Sequence, residues 1–184
     1  MELAAMSCRT LLVVVFAVAV TGKAGGAESF GAFVRSVQEF VRSTSPNRGR
    51  GVAHLVIGAE VAGTVLLLLP GPAAVAGFAL VGCLLGAFAL AIATSLRRGV
   101  RVPCRCFGAS ASSAGPLELV RNGFLMAAAV TGAVGTSNGL PETTGAVALA
   151  VGTGLILGVV VTVLDDISDL LRDAVPVAIW KGRR

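Results

Sequence analysis

From Val61 to Leu96 the chain carries no charged residue, and Pro70-Gly71-Pro72 interrupts that run. A helix needs about 20 apolar residues to cross the hydrocarbon core of a bilayer, so the run is too long for one span. Two prolines around a glycine cannot continue a helix, because proline lacks the amide hydrogen and crowds the turn before it. The stretch therefore reads as a helical hairpin, with one span over 52–69 and the next over 73–96. Charge-free runs place three more spans, over 10–27, 116–135 and 143–164. Pro116 suits the first helical position, where its missing N–H costs nothing. Ser137-Asn138-Gly139-Leu140-Pro141 makes the turn before the last span.

The first run is the shortest and has a competing reading as a signal peptide. Arg9 would be a minimal n-region and Leu11 to Val20 the apolar h-region. A retained helix is preferred, since no convincing cleavage site follows. Composition agrees with a membrane protein: 55% of residues are hydrophobic and 14% are charged, too few charges to cover a soluble domain. The formal charge of +5 is then expected to serve topology and lipid contact instead of nucleic-acid binding. With no Tyr and a single Trp, a platform for stacking bases is excluded. The expected fold is all-α, a polytopic helix bundle over 1–164, integral to the plasma membrane, with the lipid bilayer as its first partner.

Two segments look interfacial. Phe30, Phe33, Val34, Val37, Phe40 and Val41 recur at helical spacing, with Arg35, Glu39 and Arg42 on the other face. An amphipathic helix over 29–42, lying on the membrane or on the bundle, follows. The tail, 165–184, repeats the pattern with Ile167, Leu170, Leu171 and Val175 before a basic end.

Five spans put the 30–51 segment, the 97–115 loop and the C-terminus on one side. Thirteen Lys and Arg fall there, Lys23 included, against Arg9 on the other side, with Arg121 left out as intramembrane. The positive-inside rule makes that side cytoplasmic.

The sharpest motif is Pro103-Cys104-Arg105-Cys106-Phe107-Gly108. Two thiols one residue apart can close a small strained disulfide, and strain makes a disulfide more reducible and so more oxidising. Arg101 and Arg105 would favour the thiolate, the form that attacks disulfides. A redox-active dithiol is the leading reading. A structural clasp is the plainer one. A metal site is the third, although structural zinc usually takes four protein ligands and only His54 offers another. Cys8 and Cys83 fall in or beside apolar runs, where a lone thiol packs as a small hydrophobe.

Glu60 sits roughly 12 Å into its span, at about 1.5 Å per residue. A carboxylate at that depth must be neutralised or paired inside the bundle, and Lys23, His54 and Arg121 are the candidate partners. Glu60 could relay a proton, or it could simply lock helices together. Arg121 and Asn122 open the fourth span, where an arginine often snorkels to the headgroups.

A Lys ending the first span, a Glu within the second, Cys-x-Cys-Phe-Gly after the third and Arg-Asn opening the fourth together resemble the methylamine-utilisation MauE family, a branch of the DoxX-like membrane proteins. The resemblance runs from about Leu11 to Val134. It implies a four-helix core related to vitamin K epoxide reductase-like bundles, here with one additional C-terminal span. It also implies support for disulfide formation or maturation of an exported partner, often with a thioredoxin-like protein. Cys104 and Cys106 would be the redox pair, and Lys23, Glu60 and Arg121 the polar groups of the interior, with Asn122 and Arg105 beside them. Family members commonly carry Gly where this chain has Arg105, and a Pro shortly before the Glu, which this chain lacks. An exported partner wants the cysteines outside, opposite to the charge rule.

No cofactor motif is evident; a quinone would be compatible, but nothing in the sequence marks a place for one. The competing function is a non-catalytic membrane scaffold or small-solute carrier with a structural cysteine pair.

Overall fold

A computed structural model describes residues 1–41, 46–99, 103–104, 112–113, 115–136 and 143–174, with side chains over 1–40, 47–99, 115–136 and 143–164. The described chain forms six helices: α1 (Glu2–Ala24), α2 (Ala27–Val41), α3 (Pro46–Leu68), α4 (Pro72–Arg97), α5 (Pro116–Thr136) and α6 (Thr144–Ala174). All except α2 are long and apolar enough to cross a membrane. The protein is a polytopic helical membrane protein.

Four of these helices close a ring. α1 packs on α3, α3 on α4, α4 on α5, and α5 back on α1. The core inside the ring comes from Leu12, Val15 and Phe16 of α1, Leu67 of α3, Phe78, Val81, Leu85 and Ile92 of α4, and Leu125 and Ala129 of α5. α6 lies outside, on α1. The outer faces are apolar as well: Leu55, Val65, Leu90, Val120, Phe124, Leu149 and Ile156 are all exposed. Such a surface fits lipid, in which helix contacts depend on close packing instead of water exclusion. Small residues supply that packing. A Cβ on Gly77 would meet the backbone of Leu66 and Leu67, and one on Gly154 the backbone of Ser7 and Leu11.

The α3–α4 connection is tight. Gly71 takes φ +68°, a region open to glycine, and Pro72 starts α4 directly behind it. At the same end Arg9 of α1 reaches across to α3. Its guanidinium donates from Nε to the carbonyl of Leu67 and from Nη2 to that of Leu69, the latter at 2.8 Å. The last carbonyls of a helix have no partner within it, and a cation there also opposes the negative end of the helix dipole. α1 thus begins well before the charge-free run, because Arg9 is satisfied inside the fold.

Helix limits differ elsewhere for similar reasons. α3 begins at Pro46 instead of 52, since its first turns carry α2. Phe33, Val34 and Val37 of α2 are buried with Ala53, and Phe30, Val52, Val56 and Ile57 pack around them. The apolar stripe therefore lies on the bundle and not on lipid alone. α6 runs unbroken to Ala174, so the last span and the start of the amphipathic tail are one helix.

Candidate functional site

α1, α3, α4 and α5 alternate in direction, which gathers the end of α1, the start of α5 and the end of α4 at one end of the ring. Contacts at both levels agree: Arg9 meets the end of α3, whereas Lys23, in the last turn of α1, meets Glu60 within α3. Glu60 lies roughly 21 Å along α3, because that helix projects past the end of α1.

Lys23 and Glu60 are both wholly buried, and Nζ of Lys23 donates to Oε1 of Glu60. Two aromatic rings flank the ammonium, Phe33 of α2 at 5.1 Å and Phe88 of α4 at 5.2 Å from their centroids. A cation over a ring face is attracted by the ring quadrupole, more strongly where water is excluded. Arg121 of α5 comes near enough to Lys23 to act on it electrostatically. Asn122, the next residue, is fully buried and belongs to the inward stripe of α5 with Glu118 and Leu125. Five helices thus contribute to one polar centre, with Lys23 as its hub.

Of the partners considered for Glu60, Lys23 is the one that bonds it. His54 does not: its Nδ1 lies 2.8 Å from the carbonyl of Arg50, and its ring packs on Phe30 at 4.8 Å. The reason is positional, since His54 stands on the part of α3 that carries α2. Arg121 is half-buried and lies within electrostatic range of Lys23. Lys23 ceases to be a loop charge, which leaves the basic excess of that side otherwise intact.

Cys104 enters the described residues through its backbone alone. Pro103–Cys104 (β1) pairs antiparallel with Ser112–Ser113 (β2), Cys104 opposite Ser112, in a short hairpin between α4 and α5. Its side chain, Cys106 and Arg105 lie outside the described residues, so the spacing of the two thiols does too. α5 starts as Pro116 foretells. Its third residue, Glu118, accepts from the backbone N–H of Gly115 at 2.7 Å, half of a capping box. Cys8 packs against the main core, but Cys83 is exposed on the outer face of α4 and faces lipid instead of the interior. Among the described residues no group of three or more His, Cys, Asp and Glu could hold a metal ion.

Phe33, Phe88 and the capping role of Arg9 carry no local signature. Glu118 had one, a carboxylate three residues after Gly115 with Pro between.

No curated protein and no solved structure matches the chain significantly. The family model described as methylamine utilisation protein MauE matches residues 1–135, which takes in α1 to α5, the ring and its covering helix, and stops short of α6. With close to three quarters of its length matched, the chain belongs to the methylamine utilisation protein MauE family.

Proposed function

We propose that this protein is a plasma-membrane thiol–disulfide exchange protein that supports the maturation of a partner through Cys104 and Cys106. The observation that carries the reading is the position of Cys104. It lies in the strand pair between the end of α4 and the start of α5, the helix ends that fall on the same end of the ring as Lys23. Family membership and the Cys-Arg-Cys spacing support it further.

In the exchange, a thiolate of a thioredoxin-like or exported partner attacks one sulfur of the Cys104–Cys106 disulfide. The mixed disulfide is then displaced by the partner's second thiol. The partner leaves as a disulfide, and the pair is left as two thiols. Arg105 between the cysteines stabilises the leaving thiolate. Methylamine-dependent growth is the context that the family suggests for the partner.

A thioredoxin-like partner stripped of its second cysteine should accumulate as a mixed disulfide with the wild-type protein, visible as a heavier band that reductant removes, and a single Cys104→Ser or Cys106→Ser variant, which cannot form the disulfide, should lose that band. Full complementation of a deletion strain by the Cys104→Ser, Cys106→Ser double variant would exclude the proposal and leave a scaffold role.

A further inference from the structure

Along the seam where α2 lies on the start of α3, two adjoining cavities open to the surface. The outer one holds about 420 Å³ between Phe30, Val34, Arg35 and Gln38 of α2 and Arg50 of α3. The inner one, about 400 Å³, lies between Ala27 and Phe30 of α2 and His54 and Ile57 of α3, and both cavities share Ala27 and Phe30. Ligand pockets commonly hold about 300–1,000 Å³. Two glycines shape the outer cavity. Gly49 has no side chain, so Gln38 lies directly on α3, where a Cβ on Gly49 would overlap it. The guanidinium of Arg35 folds back along α2, with Nη1 3.7 Å from where a Cβ on Gly31 would stand. Arg35 and Arg50 thus line one cavity, and among the described residues neither guanidinium has an ion-pair or hydrogen-bond partner. Glu28 and Glu39, the acidic residues of α2, line neither cavity.

Depth in the membrane narrows the ligand. From Arg50 to Leu68, where α3 ends, is roughly 27 Å of helix at about 1.5 Å per residue, close to the ~30 Å of a hydrocarbon core. Arg50 and the outer cavity therefore stand at headgroup level on the basic side of the protein. His54 and Ile57 of the inner cavity lie roughly 6 to 10 Å deeper along α3. We propose that the seam binds an anionic phospholipid. Its phosphodiester sits between Arg35 and Arg50, with the Gln38 amide as a further donor, and an acyl chain descends past Phe30 to Ile57. A guanidinium presents parallel N–H donors to phosphate oxygens, and basic pockets between helices at this level suit anionic headgroups. The lining changes in the same order, from guanidinium and amide outside to aromatic and aliphatic within. Two cations with no carboxylate in the lining favour a net negative headgroup over a zwitterionic one. A free phosphate matches the charge but leaves the apolar inner cavity unfilled. The site uses no cysteine and stands apart from the thiol reading.

Native mass spectrometry of the full-length protein, delipidated in detergent and titrated with phosphatidylglycerol or phosphatidylcholine, tests the site. Wild type should bind one phosphatidylglycerol several-fold more tightly than phosphatidylcholine. Arg35→Gln and Arg50→Gln should each weaken phosphatidylglycerol about fivefold and together about 25-fold, each removing one basic residue's attraction to the headgroup. Both arginines are exposed, so neither change touches the core. Arg48→Gln removes the same charge from an exposed position outside both cavities, and binding should stay at the wild-type level. An equal loss in Arg48→Gln overturns the proposal in favour of diffuse attraction to the basic face. Equal binding of the two lipids by wild type overturns it with no variant needed. Displacement of phosphatidylglycerol by millimolar inorganic phosphate overturns it as well, by assigning the arginines to a free phosphate ion.

Discussion

The ammonium of Lys23 closes on Oε1 of Glu60 across the α1–α3 interface, and neither side chain is reached by solvent or lipid. Removing one partner of a buried ion pair leaves the other charge stranded, which costs about 3–5 kcal/mol, while removing both can be nearly neutral. Lys23→Met should therefore lower the unfolding temperature sharply in detergent. Adding Glu60→Gln should restore most of it. Equal losses from both single variants with no recovery in the double variant would show that the pair is not the source of the effect.

The guanidinium of Arg9 holds two terminal carbonyls of α3 at once. Hydrogen bonds to a charged group contribute about 1.5–3 kcal/mol. Arg9→Leu should lose an amount of that order by thermal or denaturant unfolding. Arg9→Lys should recover only part, because an ammonium cannot present the planar fork that reaches both oxygens. A full rescue by lysine would reduce the role of Arg9 to its charge.

α6 leans on α1 where Gly154 touches the backbone of Ser7 and Leu11 and Gly158 touches Val14. A larger residue at 154 has backbone to displace, and overpacking of this kind costs roughly 1–3 kcal/mol. Gly154→Leu should increase protease accessibility of α6 while cross-linking between α1 and α5 persists, since the ring does not include α6. Loss of both together would make α6 part of the ring's own stability.

The loop bearing Cys104 stays on the basic side of the protein even after Lys23 is withdrawn into the core. The positive-inside rule then predicts that a membrane-impermeant thiol reagent labels reduced Cys104 and Cys106 only after permeabilisation. Labelling in intact cells would place the loop outside, where an exported partner folds. Either result also reports the redox state if labelling is compared before and after reduction.

The five spans were legible because a bilayer imposes a length and an apolarity that composition cannot hide. The Pro70-Gly71-Pro72 turn and the Pro116 start were legible because proline acts on its own backbone, locally. Helix limits were less so: α1 reaches back past Arg9 and α3 past Arg50, since charged residues join a helix freely once a neighbouring element satisfies or shelters them. Of the polar centre, Glu60 announced itself as a carboxylate within an apolar run. The choice of Lys23 over His54 did not, because it depends on how far α3 projects beyond α1.

By itself the sequence determined that the chain lives in a bilayer, how often it crosses, and which residues were out of place there. Hydrophobic length and proline stereochemistry are properties of short segments, and they survive without knowledge of neighbours. Only the tertiary structure decided that α1, α3, α4 and α5 close a ring, that Lys23 leaves the loop for the core, and that Asn122 is buried on the inward face of α5. Those outcomes follow from the angle each helix presents and the level at which it meets the next, set by many weak contacts between segments far apart in the chain.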